Sequence, residues 1–327
     1  MTDKNNLGAF DRFRLVAAVL VIAIHTSPLW SVNETCNFLL TGVFARVAVP
    51  FFFAMTGYFT DFKSSARIGN LTVKTLAMYA AAIVIYLPFG TYSATLRMLL
   101  FEGAFYHLWY FPACVTGALI VFALKRLPTV PAFAIAAALY VIGVFGDSYY
   151  VLTEGLPPVR AMYDFFSGIF SYTRNGLFFA PLYILLGNAL AKHRLGRNRF
   201  GAGIGLAVSL ALMTVEGLLL KGIAFATHDN MFFSLIPATI FLFDFLASFK
   251  VKPRPCYRKA AMWIYILHPI AGYWIGVLAV RLGIDNFSAR YSFMNFVLVT
   301  VLSFAAAFGI ELARAAFGRL RRQTVEQ

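Results

Sequence analysis

Two side chains that could carry chemistry, an arginine and a histidine, stand in one long apolar stretch near the start of the chain. Arg14 and His25 are 11 residues apart in the sequence FDRFRLVAAVLVIAIHTSPLW. In an α-helix this spacing amounts to three turns plus about 20°, so both side chains lie on one face, about 16 Å apart along the axis. A histidine can act as a general base on a hydroxyl, and an arginine is suited to holding phosphate. In the alternative interpretation, His25 only packs against a neighbouring backbone group.

Two more ionisable side chains occupy apolar stretches farther along the chain. Arg46 stands in FARVAVPFFFAMTGYF, and because an arginine keeps its proton, it requires an anion, a group of carbonyl oxygens or water. An ion pair with Glu216 is the structural alternative for Arg46, and Pro50 predicts a kink just after it. His268 stands in WIYILHPIAGYW, where Pro269 predicts an irregular backbone, and a structural role is an equal alternative to a chemical one.

The composition indicates a membrane protein. Of 327 residues, 60% are hydrophobic, 13% are charged and 35 are Phe, and the mean hydropathy is +0.74. A soluble domain is typically about 45–50% apolar and about 25% charged, so this chain could not cover its surface with polar groups, and its many aromatic residues exclude disorder. The net charge of +14 lies in short basic clusters between apolar stretches, which argues against nucleic-acid binding. The three cysteines lack CxxC spacing and indicate neither a metal site nor a disulfide framework.

We predict an all-α polytopic membrane fold with about ten transmembrane helices, as a single domain over residues 1–327 without a soluble domain. A helix needs about 20 apolar residues to span a bilayer. Most Lys and Arg residues lie in the connections on the side of the two termini, which predicts that both termini are cytoplasmic. The longest connection, residues 146–174, is then outside and is either a functional loop or a plain spacer. The predicted spans are 15–31, 38–60, 75–95, 106–124, 129–146, 175–191, 201–221, 231–248, 260–280 and 291–313.

A further set of polar and aromatic side chains stands at the outer starts of the predicted spans or at loop edges, and we predict that it binds substrate. If these side chains converge, they form a polar pocket that opens outward. Singly, each would serve as an anchor at the membrane interface. The set comprises His107, Trp109, Asp147, Arg174, Asn175, His228 and Asp229.

The spacing of Arg14 and His25 resembles the signature of the acyltransferase-3 family of bacterial membrane proteins. The stretch from Arg46 to Tyr58, RVAVPFFFAMTGY, is similar to the motif in the second helix of that family. It carries Thr56 where serine is more usual in the family, which keeps a hydroxyl at that position. The plan of ten helices agrees with this family, so the resemblance covers nearly the whole chain.

Shorter stretches add to the resemblance. FYHLWYF at 105–111 and the YILHP segment that ends at Pro269 are similar to stretches of the same family. Within this family, the chain also resembles the membrane half of the vancomycin-resistance serine racemases. The stretches that carry this likeness are residues 146–148, 173–182 and 227–231.

The resemblance implies acyl transfer from cytoplasmic acyl-CoA, with acetyl-CoA as the expected donor, to a hydroxyl of an envelope glycan, lipid or small molecule. It assigns His25 as the catalytic residue and Arg14 as a residue that holds CoA, with no metal. From its depth near His25, we expect Arg46 to stabilise the reacting acyl carbonyl or to orient the acceptor. The implied location is the bilayer of the bacterial plasma membrane. The alternative, from the likeness to the racemases, is an L-serine transporter or binding domain.

Overall fold

The computed structural model describes residues 8–90, 95–222 and 229–325, and every regular element among them is helical. Five helical stretches are long and apolar enough to cross a membrane: Glu34–Phe59, Ser65–Phe89, Arg199–Gly222, Pro255–Arg281 and Ser292–Phe317. Four apolar helices are shorter: Tyr110–Leu124, Thr129–Phe145, Ala180–Leu190 and Leu235–Ala247. The prediction of an all-helical protein with several helices long and apolar enough to cross a membrane is therefore confirmed within the described residues.

The helices are numbered in chain order: α1 (Gly8–Thr26), α2 (Glu34–Phe38), α3 (Ala48–Phe59), α4 (Ser65–Tyr86), α5 (Tyr110–Leu124), α6 (Thr129–Phe145), α7 (Val151–Glu154), α8 (Pro157–Ile169), α9 (Ala180–Leu190), α10 (Arg199–Gly222), α11 (Leu235–Ala247), α12 (Pro255–Arg281), α13 (Phe287–Arg290) and α14 (Ser292–Val325). The first helix begins earlier than the predicted span 15–31, so Arg14 lies inside it. α1 is not among the five long apolar stretches because Asp11, Arg12 and Arg14 lie in its first two turns.

Helix α9 begins later than its apolar pattern predicts. The predicted span 175–191 becomes α-helical only at Ala180. Asn175 Oδ1 accepts the backbone N–H groups of Leu177 at 2.9 Å and Phe178 at 3.1 Å. An asparagine side chain that takes N–H groups two and three residues ahead forms a local turn in place of a helix, which explains the late start.

Helix α11 also begins late, at Leu235, because a distant carboxylate takes the N–H groups that precede it. Glu216 of α10 accepts the backbone N–H of Phe233 at 2.7 Å and of Ser234 at 3.0 Å, together with the hydroxyls of Ser234 and Tyr149. The first N–H groups of a helix lack partners within the helix, and a carboxylate there is favourable for the helix dipole. Glu216 therefore fixes the start of α11 from a neighbouring helix.

The chain divides into two compact units, which we call the terminal unit (described residues of 3–48 and 249–327) and the central unit (49–248). In the terminal unit, α1, α12 and α14 pack against one another. The start of α1 is held by Gly8, whose N–H donates to the carbonyl of Val251 at 3.1 Å. A side chain at Gly8 would collide with the carbonyl oxygens of Val251 and Lys252, so this contact requires glycine.

The helix that follows α2 changes its winding before it becomes α3. It is π-helical over Leu39–Val43 and 3-10 over Phe44–Val47, whereas α3 continues as a regular helix through Pro50. The irregularity therefore precedes the proline, although the sequence predicts a kink after Arg46. In an α-helix the N–H of residue 50 would bond to the carbonyl of Arg46, and proline lacks that N–H, which weakens this turn.

In the central unit, two glycines allow the backbones of α3 and α9 to approach closely. A Cβ built on Gly57 would collide with the carbonyl oxygen of Ile184, and one built on Gly187 would collide with that of Ala54. Small residues at helix interfaces permit such close contact in membranes. Gly57 belongs to the stretch that resembles the family motif, so this part of the motif has a packing reason.

The longest connection, residues 146–174, is ordered and holds the two helices α7 and α8. It is fastened to the end of α6 at two points. The Tyr163 hydroxyl donates to the carbonyl of Ile142 at 2.8 Å, and the Thr173 hydroxyl donates to that of Gly143 at 2.8 Å. A plain spacer would not require these two hydrogen bonds, so the connection has a defined structure of its own.

Candidate functional site

The terminal unit brings two histidines together. His25 lies in the last turn of α1, and His268 lies in the middle of α12. Their ring centroids are 5.2 Å apart and their planes differ by 30°, so the rings are stacked. His25 is exposed, whereas His268 is 1% exposed. The pair therefore consists of one accessible imidazole and one buried imidazole that packs against it.

Pro269 explains how the buried ring is oriented. Helix α12 is continuous through Pro269, so the irregular backbone predicted there is absent from the described helix. Proline cannot donate to the carbonyl of Tyr265, one turn earlier. His268 Nδ1 lies 2.9 Å from that oxygen and 3.3 Å from the carbonyl oxygen of Ile264. Because a carbonyl only accepts, Nδ1 carries the proton, and in the neutral ring the lone pair is on Nε2.

At the other end of α1, the carboxylate of Asp11 organises a group of cations. Asp11 is 2% exposed, and its Oδ1 lies 2.7 Å from Arg14 Nη1 and 3.2 Å from Arg258 Nε. Its Oδ2 accepts the backbone N–H of Arg254 at 2.9 Å. A buried carboxylate with this many donors is well satisfied, and the two arginines leave the group with a net positive charge.

Arg258 is held by one edge of its guanidinium only. Its Nε faces Asp11, and the side chain is 42% exposed. Within the described ranges, its two terminal nitrogens have no other hydrogen-bond or ion-pair partner. An arginine whose forked end is open and whose position is fixed is suited to bind a phosphate or carboxylate in bidentate fashion.

Arg46 belongs to the same unit as the histidine pair. It is half-buried in the 3-10 segment Phe44–Val47, and this segment packs against α1. Of the residues that the sequence singled out, Arg14, His25, Arg46 and His268 thus lie together in the terminal unit.

A separate polar cluster lies in the central unit, around Asp147. The carboxylate is fully buried and accepts the backbone N–H of Asn230 at 2.8 Å, its side-chain Nδ2 at 3.0 Å and the Ser148 hydroxyl at 3.0 Å. Burial raises the pKa of Asp147, and the hydrogen bonds from Asn230 and the charge of Arg174 partly oppose that rise. Asp147 therefore joins the end of α6 to the segment before α11.

Arg174 is placed over aromatic rings in this cluster. Its guanidinium carbon lies 4.3 Å from the ring centroid of Trp109 and 5.4 Å from that of Tyr172. Such cation–π contacts orient the guanidinium and are stronger when the pair is shielded from water. Arg174 thus contacts Trp109 and lies close enough for its charge to act on Asp147 within the central unit.

His107 has a different environment from the rest of that set. It is 1% exposed and lies among aromatic rings, with centroid distances of 5.0 Å to Tyr86, 5.3 Å to Tyr106 and 5.5 Å to Phe105. This is the interior of an aromatic cluster. A ring in such a place supports the packing of the elements around it.

The remaining predicted substrate residues have varied positions. Asn175 is 1% exposed and caps the turn before α9, as described above. Asp229 is half-buried beside Asn230, and His228 lies outside the described residues. Within the described parts of the chain, no three His, Cys, Asp or Glu side chains come close enough to hold a metal ion.

Sequence reasoning missed Asp11 and Arg258 as members of the site. Asp11 had a local signal, since it stands three residues before Arg14 in FDRFR, the spacing of neighbours on one helix face. Arg258 had none, because only the packing of α12 against α1 brings it to Asp11. The same packing brings His268 to His25.

The family model described as an acyltransferase domain, for acyltransferase-3, matches residues 7–312. An amino-acid racemase of Enterococcus faecalis is 36% identical over 276 residues, which are 80% of this chain and 39% of the relative. A serine/alanine racemase of Enterococcus gallinarum is 31% identical over 315 residues, which are 90% of this chain and 44% of the relative. This chain therefore spans less than half the length of these curated relatives. No solved structure matches it.

The family match and the helices agree with each other. The matched range contains the histidine pair, the Asp11 group and the Asp147 cluster. It also contains four of the five long apolar stretches in full, and the fifth extends only slightly beyond it. The chain therefore belongs to the acyltransferase-3 family and is a multi-pass membrane protein of the acyltransferase kind.

Proposed function

We propose that this protein transfers an acyl group, in the first place acetyl, from cytoplasmic acyl-CoA to a hydroxyl of an envelope glycan, lipid or small molecule. The observation that carries the proposal is the arrangement along α1. An accessible imidazole, supported by a second ring, lies at one end, and a cationic group around Asp11 lies toward the other. The spacing of about 16 Å between Arg14 and His25 is one that an extended pantetheine arm can cover.

In the proposed reaction, His25 acts as the general base. Its neutral imidazole takes the proton of the acceptor hydroxyl while the hydroxyl oxygen attacks the carbonyl carbon of the thioester. The carbon–sulfur bond then breaks, and the CoA thiolate takes the proton back from the imidazolium. The products are the ester and free CoA thiol, and His25 returns to its neutral form.

His268 is proposed as a positioning residue for His25. Its ring is fixed by the Nδ1–H bond to the carbonyl of Tyr265, and it offers a flat surface for the His25 ring. Aromatic pairs contribute about 0.5–1.5 kcal/mol beyond burial, which is enough to favour one orientation of an exposed side chain. This role touches no substrate and acts only through His25.

Arg14 and Arg258 are proposed to hold the phosphates of the donor. Asp11 accepts one nitrogen of each arginine, and the remaining N–H groups of Arg258 are open for a phosphate. Charge-assisted hydrogen bonds of this kind contribute about 1.5–3 kcal/mol each. Asp11 in turn keeps two like charges together before the anion arrives.

The remaining assignments are also proposals. Arg46 stabilises the reacting acyl carbonyl or orients the acceptor, and Arg46→Lys should lose most activity because lysine lacks the fork geometry. Near-normal activity of Arg46→Lys would show that Arg46 only balances charge in the structure. In the central unit, Arg174 and Trp109 are the side chains best suited to contact a polar acceptor. The other residues proposed to bind the substrate, directly or by supporting Arg174 and Trp109, are His107, Asp147, Asn175, His228 and Asp229.

We also propose ten transmembrane spans with both termini in the cytoplasm of a bacterium and the protein in its plasma membrane. The clustering of Lys and Arg on one side supports this orientation. Reporter fusions after Gln327 and within residues 147–173 test it. An external C-terminal reporter would overturn the orientation.

The activity is tested with purified protein in nanodiscs and with cells. Acetyl-CoA binding is measured by calorimetry, and transfer is followed as labelled acetyl that enters the membrane or wall fraction. His25→Ala should bind acetyl-CoA normally and lose transfer by about 10²–10⁴-fold. His193→Ala is the matched control, because His193 is exposed and lies in a different unit. Normal transfer by His25→Ala would reject the mechanism.

A second candidate follows from the relatives. Two of them are named racemases, one of them a serine/alanine racemase, and this chain matches less than half of each. A membrane part of such a protein could supply L-serine, with Arg46 holding the carboxylate. Uptake of labelled L-serine by proteoliposomes, together with an absence of acetyl-CoA binding, would favour this candidate over the acyltransferase.

A further inference from the structure

Helix α8, in the longest connection, presents three different stripes along its length. One stripe packs on the protein: Tyr163 is buried and bonded to Ile142, and the ring of Phe166 lies 5.2 Å from that of Phe178. The Phe170 ring, just after the helix, lies 5.9 Å from that of Phe178. This stripe accounts for the fixed position of the helix.

The second stripe is apolar and exposed. Phe165 is 66% exposed and Ile169 is 37% exposed, and the two are one turn apart on the same face. Leu152 and Leu156, just before the helix, are 56% and 53% exposed. These four large apolar side chains of the connection 146–174 are therefore not covered by the described part of the protein.

The third stripe is polar and carries both signs of charge. Arg160 Nε lies 4.0 Å from Asp164 Oδ2, and their side chains are 62% and 64% exposed. Ser167 is exposed on the same side. At about 100° per residue, this stripe and the Phe165 stripe lie on nearly opposite sides of the helix.

The depth of α8 is set by its attachment to α6. Ile142, which accepts from the Tyr163 hydroxyl, is about one turn from the end of that apolar helix. Helix α6 itself exposes Ile135 (41%) and Val141 (40%), as expected for a helix in contact with lipid. Helix α8 is therefore held at the level where the apolar helix α6 ends.

The end of α8 is held down as well. The backbone N–H of Ser171 donates to Glu102 Oε1 at 2.9 Å, and Arg97 Nη2 donates to the Ser171 hydroxyl at 2.7 Å. Arg97 Nε also pairs with Glu102 Oε1 at 2.8 Å. These bonds hold the C-terminal end of α8 against the segment that contains Arg97 and Glu102.

We propose that α8 is a membrane-interface helix, with the Phe165 stripe inserted at the boundary between lipid headgroups and acyl chains. A helix with one apolar and one polar side lies in this plane, its apolar side about 5–10 Å into the boundary. The polar stripe carries one Arg and one Asp, so the partner is the lipid surface itself without preference for anionic headgroups. This inference rests on the proposed topology, in which α6 spans the membrane, and it does not depend on the proposed reaction.

The test places a spin label on each stripe and measures its collisions with oxygen, which concentrates in lipid, and with a water-soluble nickel chelate. The background replaces Cys36, Cys114 and Cys256, which are free thiols. Phe165→Cys and Ile169→Cys report the apolar stripe. Asp164→Cys and Ser167→Cys, which are neighbouring exposed positions, are the matched controls.

A label at Val208→Cys calibrates the lipid signal, since this position is 53% exposed within the membrane-crossing α10. We expect a severalfold higher ratio of oxygen to nickel collisions at 165 and 169 than at 164 and 167, with depths shallower than at 208. The ratio should not change when zwitterionic nanodiscs are replaced by ones containing anionic lipid.

Two results would overturn the proposal. Equal nickel access at all four positions would place the apolar stripe in water. Shielding of 165 and 169 from both reagents, with spin–spin broadening, would show that a second copy of the chain covers the stripe. In the background with native cysteines, Phe165→Trp provides a second reading against the unchanged protein, whose four native tryptophans set the baseline. Lipids brominated near the headgroup should quench the added fluorescence, and lipids brominated at the chain end should not.

Discussion

The two polar regions of the molecule differ in how far their side chains are exposed. In the central unit, Asp147 is fully buried and accepts three hydrogen bonds from Asn230 and Ser148. In the terminal unit, His25 is exposed beside its partner ring, and the forked end of Arg258 is open. A polar group that is bonded on every side supports the fold, whereas one that is fixed but open is available to a substrate.

The largest expected contrast comes from removing one central residue of each region. Asp147→Ala leaves buried donors of Asn230 and Ser148 without an acceptor, and each unsatisfied donor costs about 1–3 kcal/mol. The thermal midpoint of Asp147→Ala should therefore fall by several degrees, or the protein should fail to accumulate. His25→Ala should lower the midpoint much less, since the ring is exposed and its stacking on His268 contributes only about 0.5–1.5 kcal/mol. Scanning calorimetry in detergent measures both. The reverse outcome would exchange the roles that we assign to the two regions.

The next contrast separates the ring of His268 from its hydrogen bond. His268→Asn can keep a donor to the Tyr265 carbonyl but loses the ring, so we expect kcat to fall about two- to tenfold with KM unchanged. His268→Phe keeps a ring beside His25 and loses the donor, so it should lower stability by about 1 kcal/mol and retain more of kcat. If His268→Asn retains kcat and His268→Phe abolishes it, the hydrogen bond of His268 matters and its ring does not. His268 then supports the fold and does not position His25.

How far the sequence predicts this site depends on which contacts are local. The spacing of Arg14 and His25 placed both on one helix, and the structure contains both within α1. The stacking of His25 with His268 could not be predicted, because these residues are far apart in sequence and meet only through helix packing. The continuity of α12 through Pro269 was missed for a related reason, since a neighbouring side chain supplies the bond that proline cannot.

The fold was predictable to a similar degree. Runs of apolar residues identified where the apolar helices lie, but not where each one begins. The late start of α11 depends on Glu216, which belongs to α10 and gives no signal near residue 231. The two helices in residues 146–174 were also missed, since a short helix with an exposed apolar stripe has no long hydrophobic run.

A smaller effect should test the open fork of Arg258. Arg258→Ala should raise KM for acetyl-CoA by about tenfold, from the loss of a charge-assisted bond of about 1.5–3 kcal/mol. With acetyl-pantetheine, which lacks the adenosine phosphates, the same variant should behave like the unchanged protein. Arg12→Ala is the control, as this exposed arginine lies on α1 outside the Asp11 group. An equal effect on both donors would place Arg258 away from the phosphates.

The smallest effect concerns the central unit at low pH. Burial alone would raise the pKa of Glu102, but hydrogen bonds from Ser171 and Arg97 and the charge of Arg97 outweigh it, and the net pKa is below the ordinary 4.5. The ionised carboxylate therefore stabilises the folded state above pH 4.5, and this contribution is lost as the pH falls through the lowered pKa. Because the Glu102–Arg97 ion pair is partly exposed, we expect its contribution to the free energy of unfolding to be less than about 1 kcal/mol.

Thermal midpoints measured from pH 3 to pH 6 test this expectation. The unchanged protein should lose more stability on acidification than Glu102→Gln, which has no charge to lose. Parallel curves for the two proteins would show that the contacts of Ser171 and Arg97 do not depend on the charge of Glu102.

The pairing of His268 with Pro269 has a consequence for how substitutions at the two positions combine. Pro269→Ala would restore an N–H that competes with His268 for the carbonyl of Tyr265, and so would release the ring while strengthening the helix. Loss of His268 first would leave that carbonyl without its donor, and a later Pro269→Ala would then repair it. The effect of Pro269→Ala therefore depends on whether His268 is present, and the effects of the two substitutions should not be additive.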